Sequence, residues 1–179
     1  EDPLGYPTRE EALAAHAARR DFSDLEKQLK YEGDTMGHCV GGYCPDVMEG
    51  RSRIFSLRDA KGEPHVTIEV DPSDEQNSIV QIKGKQNLAP KDEYLPFVQD
   101  FVRNNPLGGG WSNVGDLSNT NLIDISGFPK RVEALGSRYV TEKELTDYLD
   151  KFGDDNGMAD GGLVAQPDYF DDLDAFLRR

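Results

Sequence analysis

The chain has 179 residues, of which 30% are charged and 36% hydrophobic, and its formal net charge is −14. This length suits one domain, or a core domain with a small one appended, and it allows a core without cross-links. The acidic charge disfavours direct binding to nucleic acid or to anionic membranes, and no run of 18 apolar residues indicates a transmembrane helix.

The N-terminal part of the chain has a helical pattern. Residues 9–19 are rich in alanine, and Thr8 with Glu11 forms a capping box. Residues 22–31 continue helically, because Phe22, Leu25 and Leu29 are spaced to form one face.

Residues 34–50 carry the most distinctive sequence. Their apolar residues follow helical spacing, namely Met36, Val40, Tyr43 and Val47. Asp34 or Thr35 is placed to cap the start and Gly50 to end the helix, but Pro45 interrupts it. We therefore predict two short helices that meet just before Pro45, which then occupies the first turn of the second helix.

Three strands follow, at residues 53–57, 65–70 and 78–82, separated by short polar turns. The second strand alternates strictly. Val66, Ile68 and Val70 are on one side, and His65, Thr67 and Glu69 are on the other. Short turns predict an antiparallel meander with one face buried against helices.

The remainder of the chain is less regular. Helices are predicted at residues 94–102, at residues 141–152, where Thr141 and Glu144 form a capping box, and at residues 167–179, where the pattern is amphipathic. Residues 111–135 are predicted to be mostly loop. The fold class is thus α+β, a three-stranded antiparallel meander packed with flanking helices and followed by a loop-rich acidic region.

The Pro106–Gly110 run predicts a domain boundary. Residues 1–105 then form the helical segment and the α+β core, and residues 106–179 form a loop-rich wrap with two C-terminal helices. A fragment ending near Asn105 is expected to fold cooperatively. The alternative is one continuous domain, in which apolar residues after the boundary cover the core as a strap. These residues are Trp111, Leu117, Leu122, Ile123, Ile125 and Phe128.

A series of short elements between residues 30 and 87 resembles the PcfJ-like family of conjugative plasmids and phages. The elements are His38-Cys39-Val40 with Tyr43, then Ser56-Leu57-Arg58, then Pro64 with Thr67-Ile68-Glu69, and finally Gln81, Gly84 and Asn87. The resemblance implies an accessory or interaction domain of a phage or mobile-element protein, as a fragment of a longer, virion-delivered, multi-domain chain. It carries over no activity.

The same resemblance, together with the acidic charge, gives the expected partners and location. We expect a protein partner or other domains of the parent chain, in the host cytoplasm or the virion. Direct nucleic-acid binding, membrane binding and a cofactor are not expected.

An alternative function is a cysteine-dependent hydrolase or transferase. Cys39 lies near a predicted helix start, where free amides favour the thiolate, and His65 is the best-placed base. Glu69 shares a strand face with His65, whereas His38 projects about 100° away from Cys39 on a helix. The competing interpretation is a buried thiol and a hydrogen-bonded core histidine, and the sequence does not decide whether the chain is an enzyme.

Three further sets of residues contain groups that bind metals or polar ligands in other proteins. Zinc ligation by His38, Cys39, Cys44 and His65 is disfavoured because their spacing lacks a close ligand pair. Arg58, Thr67, Glu69, Gln81 and Asn87 are candidate ligand-binding residues, either as an open polar site or as a buried Arg–Glu network under a covering helix. The acidic residues 153–162 lack the ligand pattern of a calcium loop and predict a flexible linker.

Overall fold

The computed structural model describes residues 9–72, 77–128 and 130–152, with side chains from Phe22 onward except that of Arg131. Three predictions lie outside the described residues: the capping box at Thr8, the acidic linker at 153–162 and the helix at 167–179. None of the described helices combines the length and the apolar character that crossing a bilayer requires.

A three-stranded antiparallel sheet lies at the centre of the fold. Its strands are β1 (Arg53–Arg58), β2 (Pro64–Asp71) and β3 (Ser78–Lys83), and their spatial order is β1-β2-β3. The predicted meander and the α+β class are confirmed. The alternation predicted for β2 is also confirmed, because its valines and isoleucine enter the core on one face while its polar residues point to the other.

The first helix, α1 (Arg9–Met36), is longer than predicted. It runs without interruption, so the prediction that Asp34 or Thr35 caps a new helix is wrong. The helix continues through both residues and ends only at Gly37, whose φ of 72° is in the left-handed region.

Two short helical segments follow α1 and lie across its C-terminal part. They are a 3-10 turn (Cys39–Gly42) and α2 (Cys44–Met48), with Pro45 in the first turn of α2 as predicted. The 3-10 turn contacts α1 through backbone, since a Cβ on Gly33 would stand 2.8 Å from the amide nitrogen of Gly41. This close approach fixes the turn above the polar face of the sheet.

The opposite face of the sheet packs against α3 (Leu95–Asn104) and forms the main core. In β3, Ile79 and Ile82 are both fully buried although they are three residues apart. A bulge explains this spacing: Gln81 pairs with Glu69 and Ile79 pairs with Val70, which leaves Val80 as the extra, exposed residue.

The chain after α3 returns to the same core. Trp111 is buried and donates its indole N–H to the carbonyl of Val102 at 2.8 Å. Val114 forms a parallel bridge with Ile79, and the Gly115 amide donates to the Ile79 carbonyl at 2.8 Å. The outer edge of β3 is therefore covered, whereas β1 has no strand on its outer edge within the described residues.

Residues 111–135 contain more structure than the predicted loop. β4 (Leu122–Asp124) pairs antiparallel with β5 (Tyr139–Thr141), and α4 (Glu142–Phe152) follows directly. The predicted capping box is present: the Thr141 amide donates to Glu144 Oε2 at 2.7 Å, and the Glu144 amide donates to Thr141 Oγ1 at 3.2 Å. The division of the chain at residue 105 stays a prediction.

Candidate functional site

A small polar pocket lies between the 3-10 turn and the polar face of the sheet. Its cavity volume is about 10 Å³, which is room for about one water molecule. Four separate parts of the chain supply its lining, which consists of His38, Cys39, Val40, Ile54, Thr67, Glu69, Gln81, Lys83 and Asn87. Of the candidate residues predicted from sequence, the pocket brings together His38, Cys39, Thr67, Glu69, Gln81 and Asn87.

Cys39 places an exposed thiol at the rim of the pocket. Its sulfur lies 3.6 Å from the hydroxyl of Tyr43, one helical turn further along the chain. This hydrogen bond, together with burial and the charge of Glu69, raises the pKa of Tyr43 to about 12. Tyr43 is therefore a neutral hydrogen-bonding group at physiological pH.

His38 precedes the 3-10 turn and directs a ring nitrogen into the protein. Its Nε2 is buried and has no hydrogen-bond partner among the described residues. Burial lowers the pKa of His38, although the negative charge of Glu32 opposes the shift. The imidazole is thus neutral at pH 7.

Glu69 supplies the carboxylate of the pocket. It accepts hydrogen bonds from the hydroxyl of Ser52 at 3.2 Å and from Nε2 of Gln81 at 2.7 Å. No lysine, arginine or histidine of the described residues lies within ion-pair distance of it. Lys83, the cation that lines the pocket, pairs instead with Asp116 at 3.0 Å. The pocket therefore carries one negative charge that no cation balances.

A buried carboxylate that the sequence analysis missed, Glu32 of α1, lies beside the pocket. Its side chain is 2% exposed and accepts hydrogen bonds from Thr67 at 2.6 Å, Ser56 at 2.7 Å and Arg58 at 3.0 Å. The network joins α1 to β1 and β2. A sequence signal existed, because Glu32 lies on the stripe of α1 that includes Leu25, Leu29 and Met36, where a charged residue indicates a paired, buried group.

Arg58 belongs to this network and pairs with Glu32, not with Glu69 as the interpretation of a buried Arg58–Glu69 network requires. The register of the sheet gives the reason: Arg58 pairs with Pro64 at one end of β2, while Glu69 pairs with Ile54 toward the other. Four residues of strand separate the two positions, about 13 Å. A helix covers this network, as the interpretation of a buried network expects, but the carboxylate that pairs with Arg58 comes from that helix and not from the sheet.

His65 points away from Cys39. Its Nε2 lies 3.5 Å from a carboxylate oxygen of Asp59, and its ring stacks on Tyr94 with centroids 4.5 Å apart. His65 does not line the pocket. The predicted base and the predicted nucleophile are thus not brought together, because His65 lies on the same strand face as Glu69 but at the opposite end of the strand.

Cys44 is buried in a small apolar cluster with Leu29 and Val40. Burial raises the pKa of its thiol, and the charge of Glu26 adds to the shift. Cys44 therefore does not share a ligand set with His38. Among the described residues, no cluster of three or more His, Cys, Asp or Glu side chains has the geometry of a metal site.

The fold and the site define a class: an α+β domain whose helical N-terminal segment closes a polar pocket over one face of a three-stranded sheet. Residues 24–98 match the family model described as PcfJ-like protein, which confirms the resemblance over somewhat less than half of the chain. The matched segment contains the whole lining of the pocket and the Glu32 network. No curated protein and no solved structure matches the chain.

Proposed function

We propose that this chain is an interaction domain of a phage or mobile-element protein, and that its pocket binds the terminal polar group of a side chain from a protein partner. One observation carries the proposal. The sequence elements that resemble the PcfJ-like family lie on separate parts of the chain, yet most of their polar residues converge on a single pocket. These residues are His38, Cys39, Thr67, Glu69, Gln81 and Asn87. Convergence of this kind is expected of a binding site and not of residues that only fill a core.

The chemistry of the pocket favours a basic side chain. Glu69 has neutral donors on both oxygens but no cation, and a charge-assisted hydrogen bond from an ammonium or guanidinium group would balance its charge. His38 also lines the pocket, and because its pKa is lowered by burial it adds no positive charge that would repel a basic group. The net charge of −14 adds long-range attraction for a basic partner.

Small basic probes test this proposal on the full chain. The ¹⁵N-labelled protein is titrated with N-acetyl-arginine methylamide, N-acetyl-lysine methylamide and N-acetyl-aspartate methylamide, and backbone amide shifts are followed. We expect the two basic probes to shift the amides of Cys39, Glu69 and Gln81 at millimolar concentration, while the acidic probe leaves them unchanged.

Charge-neutral variants give the matched control. Glu69→Gln should abolish the shifts, and Glu63→Gln should not, because Glu63 is an exposed carboxylate that pairs with Lys85. Equal responses to acidic and basic probes, or responses that survive Glu69→Gln, would refute the basic-ligand proposal.

A cysteine-dependent hydrolase or transferase is the second candidate, favoured by the exposed Cys39 thiol beside the Tyr43 hydroxyl in the same pocket. If the chain is an interaction domain, Cys39 should react with iodoacetamide at the rate of an ordinary exposed thiol, and Cys44 should stay protected as the internal control. If the chain is an enzyme, the reaction of Cys39 should be at least tenfold faster and should slow in His65→Ala or His38→Ala. Such a result would replace the binding role by a catalytic one.

The proposed location is the host cytoplasm or the virion, and the proposed context is a longer parent chain delivered with the phage. The family resemblance supports both. Quantitative mass spectrometry of purified virions and of infected-cell lysate should detect peptides of residues 24–98 in at least one of the two. Detection of these peptides only in a membrane or nucleoid fraction would contradict the proposal.

A further inference from the structure

An apolar groove runs along the opposite face of the sheet, between β1 and α3. Its volume is about 190 Å³, and it is lined chiefly by Phe55, Leu57, Ile68, Phe97, Val98 and Phe101. Phe97 stands 60% exposed beside it, although the other face of α3 is fully buried. Helix α3 thus covers the centre of the sheet but leaves the side chains of β1 accessible.

The strand that borders this groove is the open edge of the sheet. Segment 112–115 occupies the outer edge of β3, but no strand lies beside β1 within the described residues. The middle of β1 reads Ile54-Phe55-Ser56-Leu57, without a charge or a proline. An open strand of this kind presents unpaired N–H and C=O groups that pair readily with an extended chain.

A single free charge lies at one end of the groove. Arg53 is exposed and has no ion-pair partner within the described residues, whereas Arg51 pairs with Asp46 and Arg58 pairs with Glu32. Arg53 shares its strand face with Phe55 and Leu57, because side chains alternate along β1. The groove therefore combines two apolar positions with one basic position at alternate residues.

We propose that β1 binds an extended peptide segment of a partner protein, which adds to the sheet as a fourth strand. The segment has apolar residues opposite Leu57 and Phe55 and an acidic residue opposite Arg53. Backbone pairing along β1 supplies affinity, and the groove and Arg53 supply specificity. This site lies on the other face of the sheet from the pocket and does not depend on what the pocket binds.

A second copy of the chain satisfies these positions less well. Antiparallel pairing of two β1 strands about Phe55 places Arg53 of one copy opposite Leu57 of the other. Both arginines would then be left without an acidic partner. The charge of the groove thus favours a separate acidic and apolar segment.

The probe is the peptide acetyl-Thr-Val-Thr-Val-Thr-Asp-Thr-amide, added to the full chain. Two matched peptides carry N-methyl groups on alternate residues, one set on the threonines and the other on the valines and aspartate. Only one of these sets directs its N–H groups toward β1. We therefore expect one N-methylated peptide to bind at least tenfold more weakly, the other to bind like the parent, and the parent to slow hydrogen exchange of β1 amides.

Protein variants test the groove and the charge. Phe97→Ala should weaken binding about tenfold, and Val80→Ala, which also removes an exposed apolar side chain but from β3, should not. Arg53→Glu should weaken binding of the parent peptide and be rescued by a peptide with Lys in place of Asp.

Several results would overturn the proposal. One is the absence of binding at millimolar peptide, and another is equal binding of both N-methylated peptides. If the β1 amides of the chain alone are already protected from exchange, the edge is occupied by a second copy or by another part of the chain. Sedimentation then distinguishes those two cases, and in either one no partner peptide adds there.

Discussion

Removal of the Glu32 carboxylate should destabilise the protein more than any change at its surface. Glu32 joins α1 to both β1 and β2 through the hydrogen bonds with Arg58, Ser56 and Thr67 described above. Glu32→Ala would leave the buried Thr67 hydroxyl without its acceptor and Arg58 without its carboxylate partner. Arg58 would still donate to Ser56 and Gln28.

The size of the effect follows from burial. Loss of one partner of a fully buried ion pair costs about 3–5 kcal/mol. Arg58 is 30% exposed and keeps part of its hydration, which places the expected cost of Glu32→Ala near the lower end, about 3 kcal/mol. For a chain of this length that corresponds to a fall in Tm of about 6–12 °C. Glu32→Gln keeps the shape and one acceptor oxygen, so we expect about 1–2 kcal/mol.

Urea unfolding followed by circular dichroism, with thermal melts in parallel, measures these differences. Glu63→Gln is the control, because Glu63 and Lys85 form an ion pair whose side chains are 46% and 45% exposed. That variant should leave the free energy of unfolding nearly unchanged. If Glu32→Ala also costs less than about 1 kcal/mol, the carboxylate is hydrated in solution and the contact between α1 and the sheet is looser than described.

Three further outcomes are expected. Gly115→Ala should lower the free energy of unfolding in urea by about 1–3 kcal/mol or more, since its Cβ would stand 2.1 Å from the Val80 carbonyl oxygen. Gly127→Ala is the control and should be nearly neutral, because Gly127 has open space around it. Thr141→Ala should cost about 0.5–2 kcal/mol through loss of the cap of α4, and an unchanged Tm would show that the cap is frayed. If the strap after residue 110 is part of the core, a fragment ending at Asn105 should lose cooperative unfolding and aggregate, because Trp111 and Leu122 are buried in the main cluster; a sharp two-state melt of that fragment would instead support the predicted boundary.

The elements that sequence predicted well are those with local determinants. The period-2 alternation of β2 assigned its two faces, and the Thr141–Glu144 pair located the start of α4. The position of Pro45 in the first turn of α2 follows from its missing N–H group. Each of these signals is complete within a few residues, so tertiary contacts did not need to be known.

The elements that sequence missed depend on distant partners. Strands β4 and β5 contain three residues each, too few to display a period, and they are defined only by pairing with each other. The bulge at Val80 is similarly set by the register with β2. Without that register, Ile79 and Ile82 read as residues on opposite faces of a strand.

The candidate site divides in the same way. The pocket residues of β2 and β3 were predicted because they lie on the same face of the sheet. Their placement follows from the alternation along each strand and required no tertiary information. The pairing of Arg58 was not predictable, since its carboxylate partner lies 26 positions earlier on a helix. Likewise, the separation of His65 from Cys39 depends on which end of β2 the 3-10 turn covers.

The packing beyond residue 110 favours the strap alternative over a boundary at residue 105. Trp111, Leu122 and Tyr139 belong to the same buried cluster as the core residues of β2, β3 and α3. Asp116 accepts the amide of Ile82, and Asn119 donates to its carbonyl, so the strap also satisfies backbone groups that would otherwise form an open edge. We therefore propose that the glycine-rich run after α3 is a turn within one packed unit, since a linker would not require a buried tryptophan immediately after it. With β3 covered by this strap, β1 is left as the accessible edge of the sheet.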